Sequence, residues 1–352
     1  MKNFIYTKGL YTDEKGREFF FDNAKWLLIL FVVTAHIMGT MMHSDNSHVA
    51  MLTKGIWSFF NTFHMAAFIF ISGYFAKRFV KKGYSLQKPA TYFIVYLAAQ
   101  IMFILLGKFL WKTGAGWTIF RPQSSLWFLQ CMTIWYLLLP MLEQVKPKYM
   151  IIGAIILAVV AGYDKSVNDV LSFSRVLVHL PFFMSGYYMD KSWFEKLNKW
   201  YIKLVSALFL LGIFATDLLL GNKLPGWLLT CNTPYAECGF KAGPALWGVY
   251  RLLFYIVAFL MIFAFLSLVP RCKTFFTTWG SRTLAVYILH MIVYRSFKSF
   301  EWYKYFEGSL KGVIIVAGIV LATVVILSLK PFSIPFDLLM KIKIKPFLKE
   351  KE

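Results

Sequence analysis

The chain has 352 residues, 59% of them hydrophobic and only 16% charged, with 36 Phe and 12 Trp. Its apolar residues fall in runs of about 15 to 24 separated by short charged or Pro/Gly-bearing loops, which excludes a soluble α/β enzyme and points to a polytopic membrane protein. The net charge of +21 requires no nucleic acid, because Lys and Arg facing anionic lipid account for it, with an anionic ligand as a further role for some of them.

Ten spans are predicted, at 26–43, 56–76, 89–111, 125–145, 149–163, 175–189, 200–220, 244–268, 281–297 and 310–329. The expected fold is all-α: a basic segment at 1–25, a ten-helix membrane domain at 26–329 and a basic amphipathic tail at 330–352. If the N-terminus is cytoplasmic, the inner segments hold 25 of the 38 Lys and Arg, which fits the positive-inside rule with both termini inside. No cleavable signal peptide is expected, since the first apolar run follows a charged segment and no small-residue cleavage site comes after it.

The first span opens as "FDNAKWLLILFVVTAH", residues 21–36. Ionisable groups are costly inside a bilayer, so Lys25 and His36 stand as candidates for function. Their spacing of eleven puts His36 about 16 Å deeper than Lys25 on nearly the same helix face. Asp22 can reach Lys25 as an i, i+3 ion pair and orient it. Lys25 alone also fits a snorkelling anchor, and His36 a core histidine satisfied by a neighbouring hydroxyl.

The second span, "WSFFNTFHMAAFIFISGYF", carries His64 about 12 Å below the outer surface, at a depth similar to His36. Converged, the two imidazoles form a base and orienter, or a base and acid; unconverged, each is an interhelical hydrogen bond. At the inner end, small Ser72 and Gly73 allow close helix approach, and Arg78 and Lys81 share a face that suits either phosphate or a plain positive-inside loop. Farther along, Trp127 reads as packing or ligand contact, and Arg175 as an acceptor clamp or a boundary residue. Tyr287 and His290 lie on a span where His290 again reaches mid-depth. His179 reads as structural, and His43 and His48 fall at or beyond the outer end of the first span. Cys231 and Cys238 bracket "CNTPYAEC" in the longest outer loop, either as a disulfide or as two free thiols. No zinc-type spacing and no Walker or Rossmann glycine pattern occurs, so no metal is expected.

In order and spacing these stretches resemble the acyltransferase 3 family of bacterial inner-membrane acyltransferases, in the form without an added esterase-like domain. The resemblance rests on the basic residue, ten residues, then His of Lys25 and His36. It is extended by "FNTFHMAAFIFISGYFAKRF", "SLWFLQCMTIWYLLLP", "SRVLVHLPFFMSGYYM" and "WGSRTLAVYILHMIV". It implies ten spans with the N-terminus inside and transfer of an acyl group, most often acetyl from cytoplasmic acetyl-CoA, to a hydroxyl of a carbohydrate or glycolipid. Acetyl-CoA is then a co-substrate, with no tightly bound cofactor. By resemblance His36 is the catalytic histidine, acting either as base for direct attack or as carrier of the acyl group, and Lys25 the basic member of the motif, where many relatives have Arg. Arg78 and Lys81 correspond to a pair of arginines.

These expectations place Lys25, Arg78, Lys81 and Ser72 at the donor's mouth, His36, Lys25, Asp22 and His64 in the chemistry, and Trp127, Arg175, Tyr287 and His290 near the acceptor. A proton-coupled exporter or flippase of a lipid-linked saccharide is the alternative, since buried histidines also serve proton relays. A non-catalytic membrane scaffold would not need three histidines at one depth.

Overall fold

Local chemistry sets where the first helix begins. In the computed structural model, which describes residues 5–7, 10–12, 16–113, 116, 118–220, 226–238, 243–344 and 346, α1 runs Phe19–Met38, starting well before the first expected span. The early start comes from burial: Phe20 and Phe21 are essentially inaccessible and pack with Tyr74, Phe75 and Phe194 at ring-centroid distances of 4.9 to 5.3 Å. The Asn23 amide, fully buried, donates to the carbonyls of Pro270 and Cys272 and accepts from Thr274 and Thr277. All its polar capacity is thereby satisfied, and the 270–277 segment is clipped to the helix.

After α1 come α2 (Ser47–Lys81), α3 (Gln87–Phe109), α4 (Trp127–Leu142), α5 (Pro147–Ala161), α6 (Phe173–Tyr188), the short α7 (Ser192–Lys196) and α8 (Trp200–Leu220). The chain continues through the short α9 (Gly226–Thr230), α10 (Pro244–Leu268), α11 (Thr283–Ser299), α12 (Leu310–Leu327) and α13 (Lys330–Met340). A two-stranded antiparallel ribbon, β1 (Ile5–Thr7) with β2 (Leu10–Thr12), precedes them, so the fold is helical apart from that ribbon. Among the described residues, seven helices are long and apolar enough to cross a membrane. The remaining expected spans correspond to α5, α6 and α11, of 15, 16 and 17 residues.

Connections gather at two ends of the bundle, called here proximal, where α1 begins, and distal. At the proximal end Lys77 reaches the Met189 carbonyl, Lys191 pairs with Glu18, Tyr187 bonds Glu143, and Gln87 bonds Ile342 and Ile344. At the distal end Ser44 and Asn46 bond Glu307 and Gly308, Trp111 bonds Ser296, and Tyr235 bonds Gly162. The segment expected as a basic amphipathic tail begins as α13, which packs on α3 and α11 and buries Ser333 and Phe336.

The core has two halves, one around α2, α6 and α10 and the other around α1, α3, α11 and α12, with Leu27, Phe68, Tyr92 and Phe128 packed against both. Helix α2 also meets α6 backbone to backbone. A Cβ on Gly73 would lie 2.0 Å from the Phe183 carbonyl oxygen, and one on Gly186 1.9 Å from that of Phe70. This is the close approach expected of the Ser72-Gly73 pair, and Ser185-Gly186 supplies its counterpart on α6. Because backbone cannot yield as a flexible side chain does, Gly186→Ala is expected to destabilise the protein by about 1–3 kcal/mol, read as a lower thermal midpoint in detergent.

The loop cysteines do not bond to each other. Cys231 is buried and accepts from the Arg251 guanidinium at 2.9 Å, while the Cys238 thiol donates to the Pro234 carbonyl at 2.9 Å. The two side chains thus turn to different partners, and both thiols are free.

Candidate active site

Helices α1 and α2 are antiparallel neighbours in a definite register. Phe21 stacks on Tyr74, Phe31 on Phe60, and Gly39 faces the Trp57 ring. Each step up α1 is therefore matched by a step down α2, so His36 is level with about residue 58. His64 lies more than one helical turn, ~9 Å, towards the proximal end. His36 itself falls in the last turn of α1, about 26 Å along the helix. It thus sits nearer the distal end than the expected mid-depth, because α1 starts six residues before Lys25.

Both histidines line one distal cavity of about 780 Å³. Trp127, Arg175 and Tyr287 line it as well, so five of the residues singled out from sequence converge there. His290 is fully buried behind them, its ring centroid 5.4 Å from that of His36. The His36 ring makes no hydrogen bond among the described residues, and Tyr294, one turn on from His290 along α11, lies 5.2 Å from it.

The neighbouring imidazoles are more constrained. His64 Nδ1 contacts the Phe60 carbonyl, and His290 Nδ1 lies 2.9 Å from the Val286 carbonyl. A carbonyl only accepts, so each Nδ1 carries the proton and each Nε2 is left as the basic nitrogen. Tyr287 donates its hydroxyl to the Ser125 carbonyl, which fixes its ring beside the cavity.

His179, read from sequence as structural, also lines the cavity. Its Nδ1 bonds the Arg175 carbonyl, and Trp127 lies between it and Arg175, whose guanidinium sits 5.1 Å above the indole ring. Sequence reasoning missed Asn61, Gln123, Tyr294, Arg295, Lys298 and the α9 residues Leu229 and Thr230, all of which line the same space. A signal existed for part of this set: Tyr287, His290, Tyr294 and Lys298 recur at three- and four-residue spacing along an otherwise apolar helix.

A second pocket, of about 730 Å³, opens at the proximal end. Lys25, Arg78 and Ser72 line it as expected. Lys81 does not; it is exposed, and Lys82 and Lys88 supply the further positive charge. No carboxylate lines this pocket among the described residues. Asp22 stands just outside it in an adjoining smaller pocket, with its carboxylate held by Lys25 at 2.9 Å and also by Arg17. The i, i+3 pair read from sequence thus exists, with Arg17 as an additional partner.

The two spaces approach each other along α2. Met65 and Ala66 line the distal cavity, while Phe68, Ile71 and Ser72 line the proximal pocket. Two residues of helix, about 3 Å of rise, separate Ala66 from Phe68. The arrangement is an anion-compatible mouth at one end, an imidazole-lined chamber at the other, and a thin aromatic partition between them. Among the described residues, no group of three His, Cys, Asp or Glu side chains is placed to hold a metal ion.

Comparison with known proteins places the chain in a family. A family profile described as an acyltransferase domain, that of the acyltransferase 3 family, covers residues 18–329. No curated protein and no solved structure matches the chain. With its apolar helices and this match over nearly its whole length, the chain belongs to the acyltransferase 3 family and is a multi-pass membrane acyltransferase.

Proposed function

We propose that the protein takes an acyl group, most often acetyl, from acyl-CoA at the proximal pocket and delivers it to a hydroxyl of a carbohydrate or glycolipid in the distal cavity. The proximal end faces the cytoplasm, ten helices cross the bacterial inner membrane, and both termini lie inside. The observation that carries this reading is the close approach of two chemically different spaces along α2. Cations suited to a nucleotide's phosphates line one, and histidines suited to proton transfer line the other.

In this scheme the CoA phosphates meet Lys25, Arg78, Lys82 and Lys88, with Asp22 and Arg17 orienting Lys25. The acylated pantetheine arm passes Phe68 towards the chamber. The acceptor hydroxyl oxygen attacks the thioester carbonyl carbon while His36 takes the hydroxyl proton. The C–S bond then breaks, the sulfur leaves with its electron pair, and it takes the proton from His36, giving the ester and free CoA. His64 and His290 flank His36 and set the electrostatics of its ring. Trp127, Arg175 and Tyr287 contact the acceptor.

The test uses purified full-length protein, acetyl-CoA labelled in the acetyl group, and envelope glycans as acceptor. Label should move to glycan, with CoA release dependent on the acceptor. Movement of an unmodified saccharide across proteoliposomes without label transfer would favour the exporter instead. Phe68 gives a second handle: Phe68→Ala is expected to raise turnover of butyryl-CoA relative to acetyl-CoA by about threefold or more, measured as the ratio of kcat/KM values. An unchanged ratio would remove Phe68 from the acyl path.

A further inference from the structure

The charge of the distal cavity is one-sided. Arg175, Arg295 and Lys298 line it, and no carboxylate among the described residues does. Arg175 is already committed: Nη1 lies 3.0 Å from Asp169 Oδ1, and Nε donates to the Thr230 carbonyl. Arg295 is different. Its guanidinium rests against the Trp111 and Phe103 rings at 5.2 and 5.7 Å, and one nitrogen donates to Gln123 Oε1 at 2.7 Å. Its remaining N–H donors meet no carboxylate among the described residues. Lys298, three residues on, shares its helix face and is exposed.

A bland explanation for such cations is anchoring by the positive-inside rule, but these three stand at the end of the bundle opposite Lys25, where that rule disfavours Lys and Arg. A partly buried guanidinium held by aromatic faces and one amide, with free donors turned to a cavity, is a preorganised anion site. Its position is informative too. Tyr294 packs on His36 and Arg295 is the next residue, so an anion held there lies close to the base.

We propose that the acceptor is anionic, a saccharide or polyol bearing a phosphate or carboxylate near the hydroxyl that is acylated, with Arg295 as its principal contact and Lys298 as the outer one. This rests on the acyl-transfer reading above for the word acceptor, but binding can be measured without turnover.

The experiment follows quenching of tryptophan fluorescence, with Trp111 and Trp127 in the cavity, as purified full-length protein in detergent is titrated with three probes: glucose 6-phosphate, glucuronic acid and neutral methyl glucoside. At least one anionic probe is expected to bind about tenfold or more tighter than the neutral one. Arg295→Ala should erase most of that preference, Arg295→Lys should keep part of it, and the exposed Lys298→Ala should reduce it without risk to folding. Which anion wins distinguishes a phosphate-bearing acceptor from a uronate. Equal binding of all three probes, or a preference untouched by both Arg295→Ala and Lys298→Ala, overturns the proposal. His36→Ala is the control that separates the two readings. If anion preference persists in native and His36→Ala protein but the native protein transfers no label, the anion site stands and the acyltransfer assignment of this cavity falls.

Discussion

His36→Ala is expected to lower acyl transfer by about 10²- to 10⁴-fold, the range a positioned general base contributes. Three features concentrate the effect on this ring. It lines the distal cavity, it makes no hydrogen bond among the described residues, and two rings of α11, His290 and Tyr294, lie 5.4 and 5.2 Å from it. His64→Ala should cost less, because its ring lies more than one turn deeper and is already tied through Nδ1 to a backbone carbonyl. The measurement is mass spectrometry of surface glycans from cells expressing each variant at equal level, backed by label transfer with purified protein. A His36→Ala enzyme within about threefold of the native rate would move the base to another residue, with His64 first in line.

Removing positive charge from the proximal pocket should act on a different constant. The double variant Arg78→Ala, Lys82→Ala is expected to raise KM for acyl-CoA by about 10- to 100-fold with kcat changed by about twofold at most. Each phosphate contact is a charge-assisted hydrogen bond made equally in ground and transition states. Both side chains are exposed, so solvent screens them and the effect should shrink as ionic strength rises. Lys81→Ala, outside the pocket lining, serves as the matched control and should leave KM near native. A double variant with native KM but depressed kcat would mean that these cations act in the chemical step instead of holding the donor. Lys25 is a poorer test, since its removal also strands the buried Asp22 carboxylate, leaving it to Arg17 alone.

The contrast between the two predictions follows from how the sites are built. The proximal cations come from neighbouring parts of the chain, Arg78 and Lys82 on one helix end and Lys88 at the start of the next. The basic run "AKRFVKK" is therefore legible as a candidate phosphate site from residue order alone. Sequence could not tell which lysine turns inward. The α2 register points Arg78 towards the pocket and leaves Lys81 outside, and the chain returns through Lys82 to Lys88.

The distal cavity was less legible for a physical reason. It is assembled from α1, α2, α4, α6, α9, α10, α11 and connecting segments, and a convergence of that kind leaves no local pattern. His36 and His64 were visible because an imidazole in an apolar run is costly and therefore conspicuous. Arg295 was less conspicuous, because near a helix end it resembles an ordinary boundary cation until Gln123, Phe103 and Trp111 are seen around it. His179 was misjudged by the same logic: closeness to the end of its span suggested a structural role, yet α6 turns it into the cavity beside Trp127.

Residue order alone settles what is periodic or energetically exceptional: apolar runs of membrane length, a charge-biased set of connecting segments, an ionisable pair eleven apart, and the ordered stretches that mark the family. These survive because hydrophobic burial and the cost of buried charge act residue by residue. Tertiary packing decides what depends on contacts distant in sequence. It extends α1 down to Phe19 through Asn23 and the aromatic cluster, sets His36 in the last turn beside His290, and brings α2 and α6 together at Gly73 and Gly186. It also leaves only two residues of α2, about 3 Å of rise, between the linings of a cationic pocket and a histidine-lined chamber, a separation set by how the helices register against each other.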